Sequence, residues 1–304
     1  FIAVKFMRSF VNEGIITEKE YSEFFKSLNT VSKSLVKDKS VLSKKDFIEK
    51  YGHLRPGTYD ILSKNYEQDY DKYFSDRSDG YINDETFNFS VEQEKKISEK
   101  LLTNKLNVDF TQLILFIKEA IEARELIKFE FTKSVNQILK YITEFAKQLK
   151  YSNFDDEDLA HLDIQELISL YSTLDHRHAS DILRNDIAKN REFYRYTQAI
   201  KLPTVISRPE DIYSFLIEAN TANFITLKSI TGNVVSEQLI HDSNLINKIV
   251  CIKSADPGYD YLFSRKIGGL ITCYGGANSH MAIRCSELDI PAVIGCGERD
   301  FNVY

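Results

Sequence analysis

Gly268-Gly269-Leu270-Ile271-Thr272-Cys273-Tyr274-Gly275-Gly276-Ala277-Asn278-Ser279-His280-Met281-Ala282-Ile283-Arg284 runs on into Cys285-Ser286-Glu287-Leu288-Asp289-Ile290-Pro291-Ala292-Val293-Ile294-Gly295. Leu270 to Thr272 is a short apolar run and reads as a strand. Gly275 and Gly276 make a loop whose backbone is free to approach a ligand closely. A helix begins near Asn278 or Ser279, so His280 falls in its first turn, and Ile290 to Ile294 starts the next strand. Strand, glycine loop, helix and strand together read as an α/β domain.

The chemistry of this stretch centres on His280. A phosphoryl group on its imidazole would meet the unpaired N–H groups and positive dipole end of a helix start. Thr272 and Ser279 add hydroxyl donors, and Gly275 and Gly276 add amides, for the same phosphate. Neutral imidazole is a competent nucleophile near pH 7. A helix-start histidine that only caps or packs is the alternative reading of the same residues.

Moving outward, Asn223 to Ile230 and Lys248 to Ile252 read as further strands, and Gly232 to Val235 as a turn into another. Pro203 and Pro209 bracket a linker over 202–209. The punctuating residues change at that point. Eight of twelve glycines lie from Gly232 onward, none falls between Gly80 and Gly232, and four of five prolines lie from Pro203 onward. Two kinds of structure are expected: a mainly α-helical bundle over 1–201 and a small α/β domain over 210–304.

Within the bundle, Thr17 with Glu20 reads as a capping box, and Ser43 and Asp163 read as N-caps. The longest helical pattern covers about 110–150, with an apolar stripe through Leu113, Ile114, Ile117, Ile121, Ile127, Phe131, Val135, Ile138, Ile142, Phe145 and Leu149. At 1.5 Å per residue such a helix is ~60 Å long. The spacing 117, 121, 124, 128, 131, 135 places Arg124 and Lys128 on that stripe, where they would bind an anion or pair with nearby glutamates. Helices are also expected over about 164–174 and 180–199. His176 and His178 point apart if helical, so they read as a loop before a helix capped by Ser180 rather than as metal ligands.

One loop stands out in a bundle that otherwise avoids turn residues. Tyr51-Gly52-His53-Leu54-Arg55-Pro56-Gly57-Thr58-Tyr59-Asp60 concentrates polar and turn residues directly after a helix. His53, Arg55 and Asp60 are candidates for holding a polar substrate. A helix end at Gly52 followed by a Pro-Gly turn accounts for the same residues structurally.

Composition narrows the classes. Thirty-nine basic against 45 acidic residues, a net charge of −6, offer no basic footprint for nucleic acid. No apolar run approaches the ~20 residues of a membrane span, and no secretion signal opens the chain. The spacing of Cys251, Cys273, Cys285 and Cys296 contains no CxxC pair, so reduced thiols in a cytoplasmic protein are expected, with no metal site. The start at Phe1, in helix-like sequence, reads as a piece of a longer polypeptide.

The pattern Gly-Gly-x-x-Thr, Gly-Gly-x-x-Ser-His-x-Ala-Ile and Glu-Leu-x-Ile-Pro-Ala-Val-x-Gly resembles the swivelling phosphohistidine domain of phosphoenolpyruvate-utilising enzymes. The resemblance covers roughly the last 75 residues. It implies that His280 carries the phosphoryl group and that Thr272, Gly275, Gly276 and Ser279 form its loop. Cys285 and Ser286 stand where relatives usually carry Ala and Arg. A helical domain ahead of the histidine domain resembles the order in rifampin phosphotransferases. The loop at Gly52 to Asp60 looks closest to that of bacterial L-glutamine kinases, which phosphorylate the glutamine amide for capsule synthesis.

The resemblance implies an ATP-grasp domain, N-terminal in the same polypeptide and absent from this chain, that binds ATP and Mg²⁺ and phosphorylates His280, releasing AMP and phosphate. It further implies a swing about the linker to a small-molecule acceptor held by the bundle. An antibiotic hydroxyl, pyruvate, or a relay module with no acceptor at all remain alternatives.

Overall fold

Side-chain oxygens decide where the first helices start. α1 (Ile2–Asn12) leads to α2 (Glu18–Lys26), where Thr17 and Glu20 close the expected capping box. Thr30 caps α3 (Val31–Val41), and Ser43 caps α4 (Lys44–Tyr51) by accepting the Asp46 N–H. Gly52 ends α4, its N–H donating to the Ile48 carbonyl. α5 (Tyr70–Tyr73), α6 (Val91–Thr103) and the 39-residue α7 (Phe110–Gln148) follow. Then come α8 (Asp156–Leu159), α9 (Ile164–Ser169) and α10 (His176–Ala199). The computed structural model describes residues 2–74, 86–149, 153–172, 175–200, 202–203, 206–214, 222–241, 243–277 and 279–303. Lys150, Leu174, Thr204, Val205 and Asn278, which carry parts of the helix, linker and motif readings above, lie outside the described residues.

The C-terminal part is a small mixed sheet with short helices, so the chain is a helical region followed by an α/β region, as expected. Strands β1 (Asn223–Ile225), β2 (Val234–Ser236), β3 (Ile249–Ser254), β4 (Gly269–Tyr274) and β5 (Ala292–Ile294) lie in the order β1-β5-β4-β3-β2. Pairs β2–β3, β3–β4 and β4–β5 are parallel, and β1 runs antiparallel to β5. α11 (Tyr261–Ser264) and α12 (His280–Glu287) connect the parallel strands, and α13 (Gly297–Phe301) closes the chain. In a parallel sheet, ligands gather beyond the carboxyl ends of the strands. The turn carrying Asp260 follows β3 and the loop carrying His280 follows β4, so neighbouring strand ends present both residues.

The chain forms two compact units, one of Phe1–Pro56, Asn65–Lys133 and Thr221–Tyr304, the other of Gly57–Lys64 and Ser134–Asn220. In the first unit, Met7, Phe10, Phe24, Leu28, Ile97 and Ile117 form a core among α1, α2, α6 and the start of α7. A second core joins Leu35, Phe47, Tyr51, Tyr66 and Phe129 of the helical region to Val250, Ile252, Tyr261, Leu262, Leu270 and Met281 of the α/β region. In the second unit, Leu149, Leu170, Ala179 and Leu183 pack together, and Asn190 donates to the His161 carbonyl.

Three local expectations are corrected. The proposed α7 stripe is buried only in part: Leu113, Ile114, Ile117, Val135, Ile142 and Leu149 are buried as read and Phe129 and Ala146 are buried beside the stripe, whereas Ile127, Phe131, Ile138 and Phe145 are exposed. Arg124 and Lys128 are exposed with them, not on the buried stripe. Apolar residues occupy more than one face of this helix, so periodicity alone does not mark the buried positions at every turn. His176 and His178 lie in the first turn of α10, capped by Asp175 rather than Ser180, and His178 pairs with Asp175 at 3.2 Å. Among the described residues, all four cysteines are buried and unbridged, and no helix is long and apolar enough to cross a membrane.

Candidate active site around His280

His280 opens α12. Its preceding residue, Ser279, is the N-cap, and the Ser279 side chain accepts the Ala282 N–H at 3.4 Å. Gly275 holds φ at +135°, and a Cβ there would come within 2.8 Å of the Ala255 Cβ, so the loop ahead of the histidine requires glycine. Gly276 is exposed, and a Cβ on it would meet nothing within 4 Å. Thr272 is fully buried in β4, its hydroxyl accepting the Gly295 N–H at 3.0 Å. That bond ties the end of β5 to the strand that delivers the loop.

The imidazole points into a polar cluster built by two regions of the first unit. Its Nε2 lies 2.7 Å from Asp260 Oδ1 and 3.1 Å from Ser32 Oγ. Ser32 Oγ in turn donates to Asp260 Oδ2 at 2.6 Å. Ser32 comes from the first turn of α3, 248 residues from His280, and is 2% exposed. Asp260 comes from the turn before α11 and is 5% exposed. On α12 itself, Arg284 and Glu287 form a buried ion pair, with the guanidinium over the Phe263 ring.

Each charge in the cluster is shifted. Burial works against a charged His280 most strongly, but the Asp260 charge, its hydrogen bond and Glu125 outweigh it and raise the imidazole above its ordinary range. Burial likewise pushes Asp260 up, yet His280, Arg284 and the Ser32 hydroxyl bring it below its ordinary value. Both shifts favour the imidazolium–carboxylate form of the pair. Glu125 on α7 behaves differently. Burial pushes its carboxyl up to about 7; Glu287 and Asp260 add to the rise, while His280 and Arg284 oppose it. Its Oε2 is buried with no partner among the described residues.

The acceptor candidates fall in separate surroundings. In the first unit, the His53 ring lies edge-on to Phe129 at 4.7 Å, and its Nε2 is buried without a partner among the described residues. Phe129 is one helical turn beyond Glu125 on α7. Arg55 is buried, and its carbonyl lies so close to Gly258 that a Cβ on that glycine would come within 1.7 Å. The Tyr66 hydroxyl donates to the Gly258 carbonyl at 2.7 Å, so loop and α/β turn are in direct contact. Asp60 belongs to the second unit, is exposed, and accepts the Leu62 N–H at 2.9 Å. Arg124 and Lys128 are exposed on α7.

Sequence reasoning missed Ser32, Glu125 and Asp260. Asp260 had one usable signal, its place in a turn at the carboxyl end of a strand neighbouring that of His280. Glu125 and Ser32 had none beyond their residue type.

Residues 246–302 match the family described as PEP-utilising enzyme, mobile domain, a stretch that contains both Asp260 and His280. Over 190 residues, 55% of this chain, the sequence is 25% identical to phosphoenolpyruvate synthase of Escherichia coli (strain K12). The chain spans 22% of the length of that relative. Both similarities point to the phosphoenolpyruvate-utilising family.

Proposed function

We propose that this chain is the carrier and acceptor-binding part of an ATP-dependent phosphotransferase of cytoplasmic location. His280 takes a phosphoryl group from ATP in a separate N-terminal ATP-grasp domain and passes it to a small polar acceptor, best matched by the amide of L-glutamine. The observation that carries the reading is the burial of His280 against Ser32 of the helical region, where an acceptor held by that region would meet it. Splitting the transfer into two half-reactions keeps nucleotide and acceptor in separate sites. The small α/β region, 210–304, swings between them about 202–209. Following the family resemblance, Mg²⁺ is assigned to the ATP-binding domain, and no step is routed through it here.

In this scheme Glu125 is the base for the acceptor's proton. A buried carboxyl near 7 is poised to take and release a proton at neutral pH. The unpartnered His53 Nε2 is an acceptor for a substrate N–H, which suits an amide, and Arg55 lies in the same loop. Arg124 and Lys128, of the first unit, remain candidates for the outer part of the acceptor site.

The similarity to phosphoenolpyruvate synthase favours one second reading, with pyruvate as acceptor. The test incubates the intact polypeptide with ATP and L-glutamine, pyruvate or a rifamycin, following AMP and the phosphorylated product by ³¹P NMR. A phosphoramide from glutamine supports the first reading. Product from pyruvate or the rifamycin alone overturns glutamine as acceptor, and absence of phosphohistidine with ATP overturns the carrier.

A further inference from the structure

Nε2 of His280 makes two contacts that no phosphorylated imidazole could keep. Asp260 Oδ1 sits 2.7 Å from it, and Ser32 Oγ sits 3.1 Å from it. A phosphorus bonded to that nitrogen needs the same space. Its oxygens would also face the carboxylates of Asp260 and Glu125, and the neighbouring cation Arg284 is already paired to Glu287. The phosphoryl group and the Asp260 carboxylate therefore compete for one nitrogen.

Ser32 decides how well Asp260 competes. Its hydroxyl donates to Oδ2 at 2.6 Å, leaving Oδ1 free to face the imidazole. Both residues are buried, so neither the charge nor the direction of the carboxylate is softened by water. Buried carboxylate and imidazolium stabilise each other only as a pair, and that pair forms only on an unphosphorylated Nε2.

We propose that Asp260 is a catalytic residue of the transfer step and Ser32 its positioning residue: the carboxylate takes over Nε2 as the phosphoryl group leaves, which makes the docked histidine a phosphoryl donor and a poor phosphoryl acceptor. The proposal rests on His280 being the carrier. In the step, the Nε2–P bond breaks and the acceptor–P bond forms. The acceptor's proton, relayed by Glu125, ends on Nε2, where Asp260 Oδ1 holds it. The same competition disfavours rephosphorylation of His280 until the α/β region leaves the helical region.

Phosphoramidate tests this on the chain itself, since it transfers its phosphoryl group to an imidazole nitrogen and releases ammonia. Wild type, Asp260→Asn and Ser32→Ala are each treated with phosphoramidate, and phosphohistidine at His280 is followed by ³¹P NMR and peptide mass spectrometry. Both variants should reach severalfold higher occupancy with a longer-lived phosphohistidine than wild type. Imidazole ¹⁵N shifts should also show the His280 pKa falling in Asp260→Asn, and falling less in Ser32→Ala, an effect that loosened packing without loss of the carboxylate does not produce. Thermal melts confirm that each variant is folded. Occupancy, lifetime and ¹⁵N titration equal to wild type in both variants overturn the role of Asp260 and leave the carrier standing. Failure to phosphorylate His280 in all three proteins overturns the carrier and the proposal together.

Discussion

His53 and His280 are both withdrawn from solvent in the first unit, yet their surroundings shift their pKa values in opposite directions. Around His53, burial disfavours the imidazolium and Lys133 adds to it. The Phe129 carbonyl and Glu130 do not compensate, and its pKa is lowered to about 4. Around His280, burial acts in the same direction, but the Asp260 carboxylate, its hydrogen bond and Glu125 reverse the outcome. Burial is common to both. What separates a ring biased to the neutral form with an open acceptor nitrogen from one biased to the charged form with an occupied nitrogen is the sign of the nearest side chains. Under the proposed function the two rings take two tasks, binding an N–H donor at His53 and exchanging a phosphoryl group for a proton at His280.

The largest effect should come from removing one side of the comparison. His280→Ala should lower phosphoryl transfer in the intact polypeptide by on the order of 10³-fold or more, as expected for loss of a covalent nucleophile. His53→Ala should retain phosphohistidine formation and lose acceptor binding. A phosphohistidine assay with and without acceptor separates the two, and equal loss of phosphohistidine in both variants would break the division of labour.

Next in size is the contact that couples the two sites. Gly258→Val drives a side chain into the backbone of Arg55 and Pro56, where even a Cβ would lie 1.7 Å from the Arg55 carbonyl oxygen. Overpacking of this kind costs roughly 1–3 kcal/mol. Chemical denaturation should show that loss, and NMR should show both imidazoles shifting, because the loop of Arg55 also carries His53.

The pH dependence sharpens the comparison by sign. His280 has a raised pKa, so its contribution to stability is full below the ordinary 6.5 and is lost as pH rises through the raised value. Asp260 has a lowered pKa, so its contribution is present above the ordinary 3.8 and is lost as pH falls through the lowered value. His53 is the reverse of His280. Its neutral ring costs stability as pH falls from 6.5 toward about 4, where the unfolded chain takes up a proton first. Imidazole titrations by NMR should therefore place the two midpoints on opposite sides of 6.5.

The smallest effect is expected at Arg124→Ala and Lys128→Ala. Both side chains are exposed, so unfolding free energy should change by less than about 0.5 kcal/mol. A change in acceptor KM with stability unaltered would place them in the acceptor site, and no change in either would remove them from it.

Local chemistry made part of this legible. The Thr17–Glu20 box, the Ser43 cap and the glycine loop before His280 are each decided by residues a few positions apart, and each is found as read. α7 was legible as a helix, and its buried face was legible only in part. With Leu115, Leu126, Ile127, Phe131 and Ile138 exposed, its apolar residues do not mark a single buried face. The partner elements choose that face, and the choice carried Glu125 inward and Arg124 outward.

By itself the amino-acid sequence determined the two kinds of structure, the helix start at His280 and the loop that bears it, because caps, turns and glycines act over a few residues of chain. Tertiary structure alone decided what the imidazole faces. Ser32 and Asp260 meet across 228 residues of sequence, and Asp260 reaches Nε2 because parallel strands β3 and β4 end side by side. Charge state in a buried site depends on distances of a few ångströms between residues far apart in the chain, and only the packed fold sets those distances.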